Sequence, residues 1–214
     1  MREGLGDRIF GLFNYIIISL FTLFCFIPFW VMVIASITEK HVLRLDGYKL
    51  WPRRFSIEAY EWVLKGQQII TGYKVTVFVT VVGTILSVML MAGIAYAMSS
   101  KKFRLRHALS FYVYFTMIFS GGLIPWFITC RALGLYDNIW ALIVPMLINP
   151  WWIFVLRNYF SSLPVEILES AYIDGASDAR VLVNIVLPLA TPVLATTSLF
   201  MAVAYWNDWW HGVI

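Results

Sequence analysis

The feature that most constrains this chain is an uncharged apolar run from Ile9 to Ala35. A helix needs about 20 apolar residues to cross a bilayer, and this run exceeds that length. A cleavable signal peptide is the alternative, but its apolar core is normally only about 7–15 residues long. The run therefore predicts a first transmembrane helix, and Arg2 and Arg8 before it predict a cytoplasmic N-terminus.

Further apolar runs follow, so a multi-pass membrane protein is expected. Only 13% of the residues are charged, against about 25% in an average soluble domain. Because spanning segments must satisfy their backbone hydrogen bonds internally, the predicted fold class is all-α, a polytopic transmembrane helix bundle. About five spans are expected, and the later four are Val75 to Met98, Ala108 to Phe127, Ile139 to Leu156, and about Leu189 to Tyr205.

Helix-breaking residues interrupt two of these spans. Gly121, Gly122 and Pro125 lie in the motif FSGGLIPWF, and Asn149 and Pro150 lie near the middle of the fourth span. We expect a kink or an unwound turn at the glycine pair, where irregular backbone must lie against protein or a watery cavity. Close helix packing at the two glycines explains them equally well.

The polar connections set the expected topology. Lys101, Lys102, Arg104 and Arg106 lie in a very short loop without any acid, which is typical of a cytoplasmic loop. Residues 36–71 carry charges of both signs and are predicted to be an extracytoplasmic segment. Within that segment, a short helix is expected to begin at the capping residue Ser56 and to end at Gly66.

A long polar insert, PVEILESAYIDGASDARVLVNIVLP, occupies residues 164–188 and is called the knob below. Pro164 suits the first turn of a helix, and Gly175 is expected to stop that helix and reverse the chain. Ser177 can cap a second helix, which Pro188 is expected to end. The sequence thus predicts two short helices suited to a groove on a partner protein, or else an amphipathic loop resting on the membrane.

The knob carries a spaced motif. Glu169-Ser170-Ala171 is followed by Gly175, and then by Ile185, Leu187 and Pro188 as Ile-x-Leu-Pro. This motif resembles the cytoplasmic motif of the inner-membrane permeases of binding-protein-dependent ABC importers. The segments FSIEAYEWVL, FSGGLIP, LGLYDNIWALIVP and YWNDWW look like the carbohydrate-uptake branch, and most like permeases for complex sugars and polysaccharide fragments.

The resemblance implies a type I ABC importer permease fold forming a single domain over residues 1–214, with residues 158–188 as a cytoplasmic coupling loop. It implies that the first helix of the knob docks in a cleft of an ATPase subunit. Small side chains at Ser170 and Ala171 would allow close approach, and Glu169 would pair with a basic group there. The residues assigned to this coupling motif are Glu169, Ser170, Ala171, Asp174, Gly175, Ile185, Leu187 and Pro188.

The resemblance also implies partners and a location. These are two ABC ATPase subunits, a second homologous permease, an extracytoplasmic solute-binding protein, membrane lipid and a carbohydrate substrate, at a bacterial inner membrane. The sequence contains no G-x-x-x-x-G-K-[ST] phosphate loop, so ATP hydrolysis is expected on another polypeptide and the chain itself is not expected to be an enzyme. The family's usual sixth span is missing here, which indicates a fragment or a truncated product.

Sugars are commonly held by aromatic faces, amides and hydroxyls. For any single polar residue in a span, hydrogen bonding between helices is the more frequent role. The candidate substrate contacts are Asn149, Trp151, Trp152, Thr196, Thr197, Ser198 and Asn207.

Other classes of protein fit less well. An ion-coupled transporter or channel is the main alternative, but the predicted spans have no ionisable residue at their centres. The three histidines and two cysteines show no metal-ligand or nucleophile spacing, so neither a metal, a cofactor nor an embedded enzyme is expected. The net charge of +4 comes from bases beside apolar spans, which indicates topology rather than nucleic-acid binding.

Overall fold

The computed structural model describes residues 5–213. The chain divides into two compact units, Met1–Thr71 and Gly72–Ile214. Apart from an isolated bridge between Thr38 and Phe55, the regular elements of the described residues are helical. The predicted all-α class is therefore confirmed.

The first unit contains the long helix α1 (Leu5–Ser36), α2 (Lys40–Asp46) and α3 (Glu58–Lys65). The apolar side chains of α1 are almost all exposed, as expected for a helix whose neighbours are lipid or other subunits. Helix α2 was not predicted. Its last residue, Asp46, accepts a hydrogen bond from Arg53 at 2.6 Å through its carboxylate.

Helix α3 differs from the prediction at its start. Ile57, rather than Ser56, occupies the N-cap position. The Ser56 hydroxyl still accepts a hydrogen bond from the Glu58 amide at 3.2 Å, while its own amide donates to the Ile37 carbonyl at 2.9 Å. Gly66 ends the helix as predicted.

Within the described residues, two helices are each long and apolar enough to cross a membrane alone, α1 and α4 (Gln67–Ser99). Helix α4 begins well before the predicted Val75. The remaining spans are bent pairs, and counting each pair once gives up to five spans. Helices α5 (Arg106–Ile118) and α6 (Leu123–Ala132) form the first pair, with a bend of 119°.

The glycine pair accounts for that bend. Gly122 has a φ of +86° and precedes α6, so the chain turns through a backbone conformation that a side chain would strain. The predicted break is confirmed as an unwound turn, since residues 119–122 lie outside both helices. The fourth span is interrupted where Asn149 and Pro150 were predicted to break it. Residues 139–146 form two 3-10 turns, which meet α7 (Pro150–Ser161) at an angle of 48°.

The knob leads into the last span. Helix α8 (Val165–Ile173) is followed by α9 (Asp178–Val181), a π-helical turn (Leu182–Val186), α10 (Leu187–Leu189) and α11 (Thr191–Trp206), and a 3-10 turn (His211–Val213) ends the described chain. The helix from Asp178 to Leu189 meets α11 at 83°.

The core of the second unit lies where α4, α7 and α11 face one another. Small residues Ala92 and Ala95 on α4 are buried and let the neighbouring helices approach closely. The fully buried larger side chains of this core are Met91, Met98, Ile143, Ile153, Leu156, Val181 and Val186.

Candidate coupling site

The first helix of the knob ends in a tight turn built on a glycine. Gly175 has a φ of +81°, and its amide donates to the Tyr172 carbonyl at 3.1 Å. The Ala176 amide reaches back to the Ala171 carbonyl at 2.9 Å. This pair of bonds is the Schellman arrangement, which leaves the last carbonyls of α8 satisfied, and the predicted stop at Gly175 is confirmed.

The second helix begins as predicted but ends later. The Ser177 hydroxyl accepts a hydrogen bond from the Arg180 amide at 3.4 Å, so Ser177 is the N-cap. The helix ends at Leu189, one residue after the predicted Pro188. A proline inside an α-helix clashes with the carbonyl four residues earlier. A π-helical turn precedes Pro188, and in it the Leu187 amide bonds to the Leu182 carbonyl. This wider turn makes room in the backbone for the proline ring.

The motif residues divide between an exposed tip and a packed base. Glu169, Ser170, Asp174 and Gly175 are exposed, and the neighbouring Ile173 is 85% exposed. These residues form the surface that another protein can reach, and they are called the tip below.

The base of the knob packs on the bundle. Ala171 is only 8% exposed and belongs to the core of the second unit, so its side chain packs on the bundle and not on the exposed tip. Its methyl group lets α8 approach the bundle closely. Ile185 and Leu187 also pack on the core, whereas Pro188 is exposed.

Sequence reasoning missed a polar cluster around Tyr172. The Tyr172 hydroxyl donates to the Asp178 carboxylate at 2.7 Å and lies 3.0 Å from the Tyr96 hydroxyl at the end of α4. The Lys102 ammonium lies 3.2 Å from the centre of the Tyr172 ring. Burial raises the pKa of Tyr172, and the bonds with Tyr96 and Asp178 raise it further, so the phenol stays a neutral donor at physiological pH.

Several candidate substrate contacts bond to their own segment instead. The Asn149 side chain caps α7 by accepting from the Trp151 amide at 3.0 Å. Thr196 donates to the Pro192 carbonyl at 3.0 Å, and Asn207 donates to the Val203 carbonyl at 2.9 Å. Each of these bonds lies within one helix or its cap.

The aromatic candidates bring two spans together. The Trp152 ring lies 5.1 Å from the Phe200 ring, centre to centre, which joins α7 to α11. Trp151 is 59% exposed, and Ser198 is half-buried. Of the two tryptophans, Trp152 is the one whose ring packs on α11.

Four buried side-chain polar atoms of the described residues have no hydrogen-bond partner. Thr197, which is fully buried, has a hydroxyl oxygen with no hydrogen-bond partner, and so have Thr80 and Thr84 on α4. The Arg157 Nε atom on α7 is also buried and unpartnered. Unsatisfied polar groups are costly inside a membrane protein, so these atoms are candidates to meet water or substrate.

A second polar feature lies near the end of α11. His211 Nδ1 is 2.9 Å from the Asp208 carboxylate, and the His211 ring packs edge-on against Trp126 at 5.5 Å. A cleft of about 280 Å³ opens beside them, with Asp137 and Asn138 on its wall.

A helical membrane bundle that carries an exposed two-helix knob is the architecture of a transporter's membrane subunit. Residues 89–209 match the model of the family described as binding-protein-dependent transport system inner membrane component. The chain belongs to this family, and it is a permease subunit of a binding-protein-dependent transporter.

Individual relatives agree with this assignment. The chain is 39% identical to the polygalacturonan/rhamnogalacturonan transport system permease protein YtcP of Bacillus subtilis (strain 168), over 97% of this chain and 73% of that protein. It is 36% identical to the protein LplC of the same organism, over 100% of this chain and 72% of that protein.

A solved structure gives the fold. It is the crystal structure of a bacterial ABC transporter involved in the import of the acidic polysaccharide alginate, whose matching chain has a TM-score of 0.88 and 34% identity. The match covers 97% of this chain and 74% of that one. The expected type I ABC importer permease fold is thereby confirmed.

Proposed function

We propose that this permease imports oligosaccharides or polysaccharide fragments, in a transporter driven by ATP. The names of its relatives support this class of substrate, since they concern polygalacturonan/rhamnogalacturonan and the acidic polysaccharide alginate. Both polygalacturonan and alginate are polymers of sugars that carry carboxylates. Acidic oligosaccharides are therefore the first substrates to test, ahead of the neutral galactooligosaccharides and α-glucosides that other relatives are named for.

The observation that carries the proposed mechanism is the exposed tip of the knob. Glu169, Ser170 and Asp174 present two carboxylates and one small hydroxyl side chain beside the reversed turn at Gly175. Such a compact acidic surface suits a cleft with basic groups on an ATPase subunit. Two ATPase subunits would hydrolyse ATP and move two knobs together, which switches the pathway by rigid-body movement of the permease pair.

The remaining assignments of the proposal rest on the family and on the distribution of charged residues. Residues 1–214 form one permease domain, with the N-terminus and residues 158–188 in the cytoplasm and residues 36–71 outside it. A second homologous permease completes the pathway, and an extracytoplasmic solute-binding protein delivers the sugar to it. The membrane is the plasma membrane of a bacterium.

Docking is tested by co-purification. The transporter is co-expressed with its ATPase subunit, and a tagged permease carries either Glu169→Lys or Gly175→Val. Both variants should lose the ATPase while keeping their own yield in the membrane. Glu166→Lys is the matched control, because Glu166 is an exposed acid of the same helix outside the motif, and recovery of the ATPase with all three variants would contradict docking at the tip.

Substrate class is tested by uptake. Proteoliposomes that contain the assembled transporter and its solute-binding protein are offered oligogalacturonides, alginate oligosaccharides, galactooligosaccharides and maltose. ATP-dependent uptake of the acidic oligosaccharides is expected. Uptake driven by an ion gradient in the absence of ATP would instead support the ion-coupled alternative.

A further inference from the structure

We infer that Tyr172 is a positioning residue that fixes the knob to the C-terminal end of α4, so that the knob and α4 move as one body. This inference rests on the proposed docking role of the tip. Tyr172 lies outside the tip itself, since its side chain is half-buried and points to groups within the permease.

Two hydrogen bonds at one oxygen carry the inference. The Tyr172 hydroxyl gives its proton to the Asp178 carboxylate at 2.7 Å. The hydroxyl of Tyr96, 3.0 Å away, is therefore the donor in the second bond. The resulting chain runs from α4 through α8 to the start of α9, and its last bond is of the stronger, charge-assisted kind.

The face of the same ring makes a third attachment. Lys102, in the loop after α4, places its ammonium 3.2 Å from the ring centre, which is a favourable cation–π geometry. The phenol of Tyr172 thus meets a positive group on its face and a negative group, Asp178, at its hydroxyl. A side chain that served only to fill space would need neither of these two polar contacts.

Tyr172 also holds the turn that shapes the tip. Its backbone carbonyl accepts the hydrogen bond from the Gly175 amide at 3.1 Å. Movement of the tip therefore pulls directly on a residue whose side chain is bonded to Tyr96 on α4.

Helix α4 can pass such a movement on. Farther along it, the hydroxyl of Ser87 lies 2.8 Å from the hydroxyl of Tyr205 on α11. Contiguous contacts thus run from the tip through Tyr172 and α4 to the last span. Contact alone does not establish energetic coupling, so the experiment must measure movement and activity separately.

Movement is measured with spin labels in the assembled transporter. Cysteines replace Lys101, beside the end of α4, and Val165, at the start of α8, in a protein where Cys25 and Cys130 are changed to alanine. Both labelled positions are exposed. With tyrosine at position 172, the distribution of distances between the two labels should be narrow. It should be narrow both without nucleotide and after the transporter is trapped with ATP and vanadate.

Tyr172→Phe keeps the ring and removes both hydrogen bonds, so it should broaden that distance. Tyr112→Phe is the matched control, because Tyr112 is 65% exposed on α5. A distance distribution for Tyr172→Phe that matches the control in both states would overturn the inference.

Activity is measured as the stimulation of ATP hydrolysis by the solute-binding protein loaded with oligogalacturonides. Tyr172→Phe should reduce this stimulation at least about tenfold, the scale of losing the hydrogen bond to the charged Asp178 carboxylate alone, while the ATPase still co-purifies. Asp178→Asn, which keeps an acceptor oxygen, should retain more stimulation than Tyr172→Phe. Wild-type stimulation in Tyr172→Phe would show that the residue does not position the knob for transport.

The two proposals fail in different ways. If Glu169→Lys leaves the ATPase bound, docking at the tip is wrong, and the spin-label distances still decide whether Tyr172 fixes the knob. If Glu169→Lys releases the ATPase but Tyr172→Phe behaves as the control in both measurements, only the positioning role is wrong.

Discussion

Gly83 on α4 lies directly against the ring of Tyr205 on α11, so that a methyl group at position 83 would come within 2.7 Å of the ring carbon Cζ. The hydroxyl of the same ring lies 2.8 Å from Ser87 Oγ and donates to the Ile143 carbonyl at 3.2 Å. A single buried phenol therefore joins two spans and the 3-10 segment before α7. Glycine is needed at 83 because the ring occupies the space that a side chain would take.

Gly83→Ala is expected to destabilise the bundle. Tyr205 is only 2% exposed, so its ring has little room to retreat from the new methyl group. Overpacking of this kind costs about 1–3 kcal/mol. The measurement is thermal unfolding of the purified permease in detergent, where the variant should melt at a lower temperature.

Gly93→Ala is the matched control for that experiment. Gly93 lies in the same helix, and a methyl group there meets nothing within 4 Å. Alanine is favoured over glycine in a helix interior by about 0.5–1 kcal/mol, so this variant should be as stable as the original or more stable. Equal melting temperatures for the two variants would show that the contact at Gly83 is unimportant.

The hydrogen bond between Ser87 and Tyr205 can be isolated with a double-mutant cycle. Ser87→Ala and Tyr205→Phe each remove one partner, and the double variant removes both. Because the two hydroxyls bond to each other, the effects on the free energy of unfolding should not add, and we expect a coupling of about 1 kcal/mol. Additive effects would mean that the two hydroxyls stabilise the bundle independently.

Local chemistry explains which parts of this fold could be predicted from the sequence. The uncharged run ending at Ala35 has only one stable form in a membrane, and the structure has α1 there. Gly175 and Ser177 end and begin helices through bonds to their immediate neighbours. Such features depend on residues a few positions apart, which a sequence displays directly.

The parts that could not be predicted depend on distant residues. Tyr172 bonds to Tyr96, and Tyr205 to Ser87, across long separations in sequence. The direction of Ala171 depends likewise on how α8 packs against the bundle. Tyr172 is the single tyrosine in the sequence of the knob, which was the available signal for the first of these contacts, but nothing local identified its partner.

The effect of a substitution at Gly175 should depend only on how readily the new residue adopts a left-handed backbone conformation. No atom lies within 4 Å of a methyl group built there, but the φ of +81° strains most side chains. Left-handed backbone costs most residues roughly 1–2 kcal/mol, and asparagine adopts it more readily. The amount of ATPase that co-purifies should therefore decrease in the order glycine, asparagine, alanine, valine at position 175. Equal recovery of the ATPase with the valine and asparagine variants would contradict this order.

The side of the membrane on which the knob lies can be tested with two single cysteines. Ala179→Cys places a thiol in the exposed part of the knob without disturbing the Ser177 cap, and Leu45→Cys places one on α2, where Leu45 is 74% exposed. Both are made in a protein with alanine at positions 25 and 130. An impermeant maleimide should label only the Leu45→Cys variant in intact cells and both variants after permeabilisation. Labelling of Ala179→Cys alone in intact cells would show that the knob lies outside the cytoplasm and that the predicted topology is inverted. Because the ATPase subunits and their ATP are cytoplasmic, the knob could then have no role in coupling.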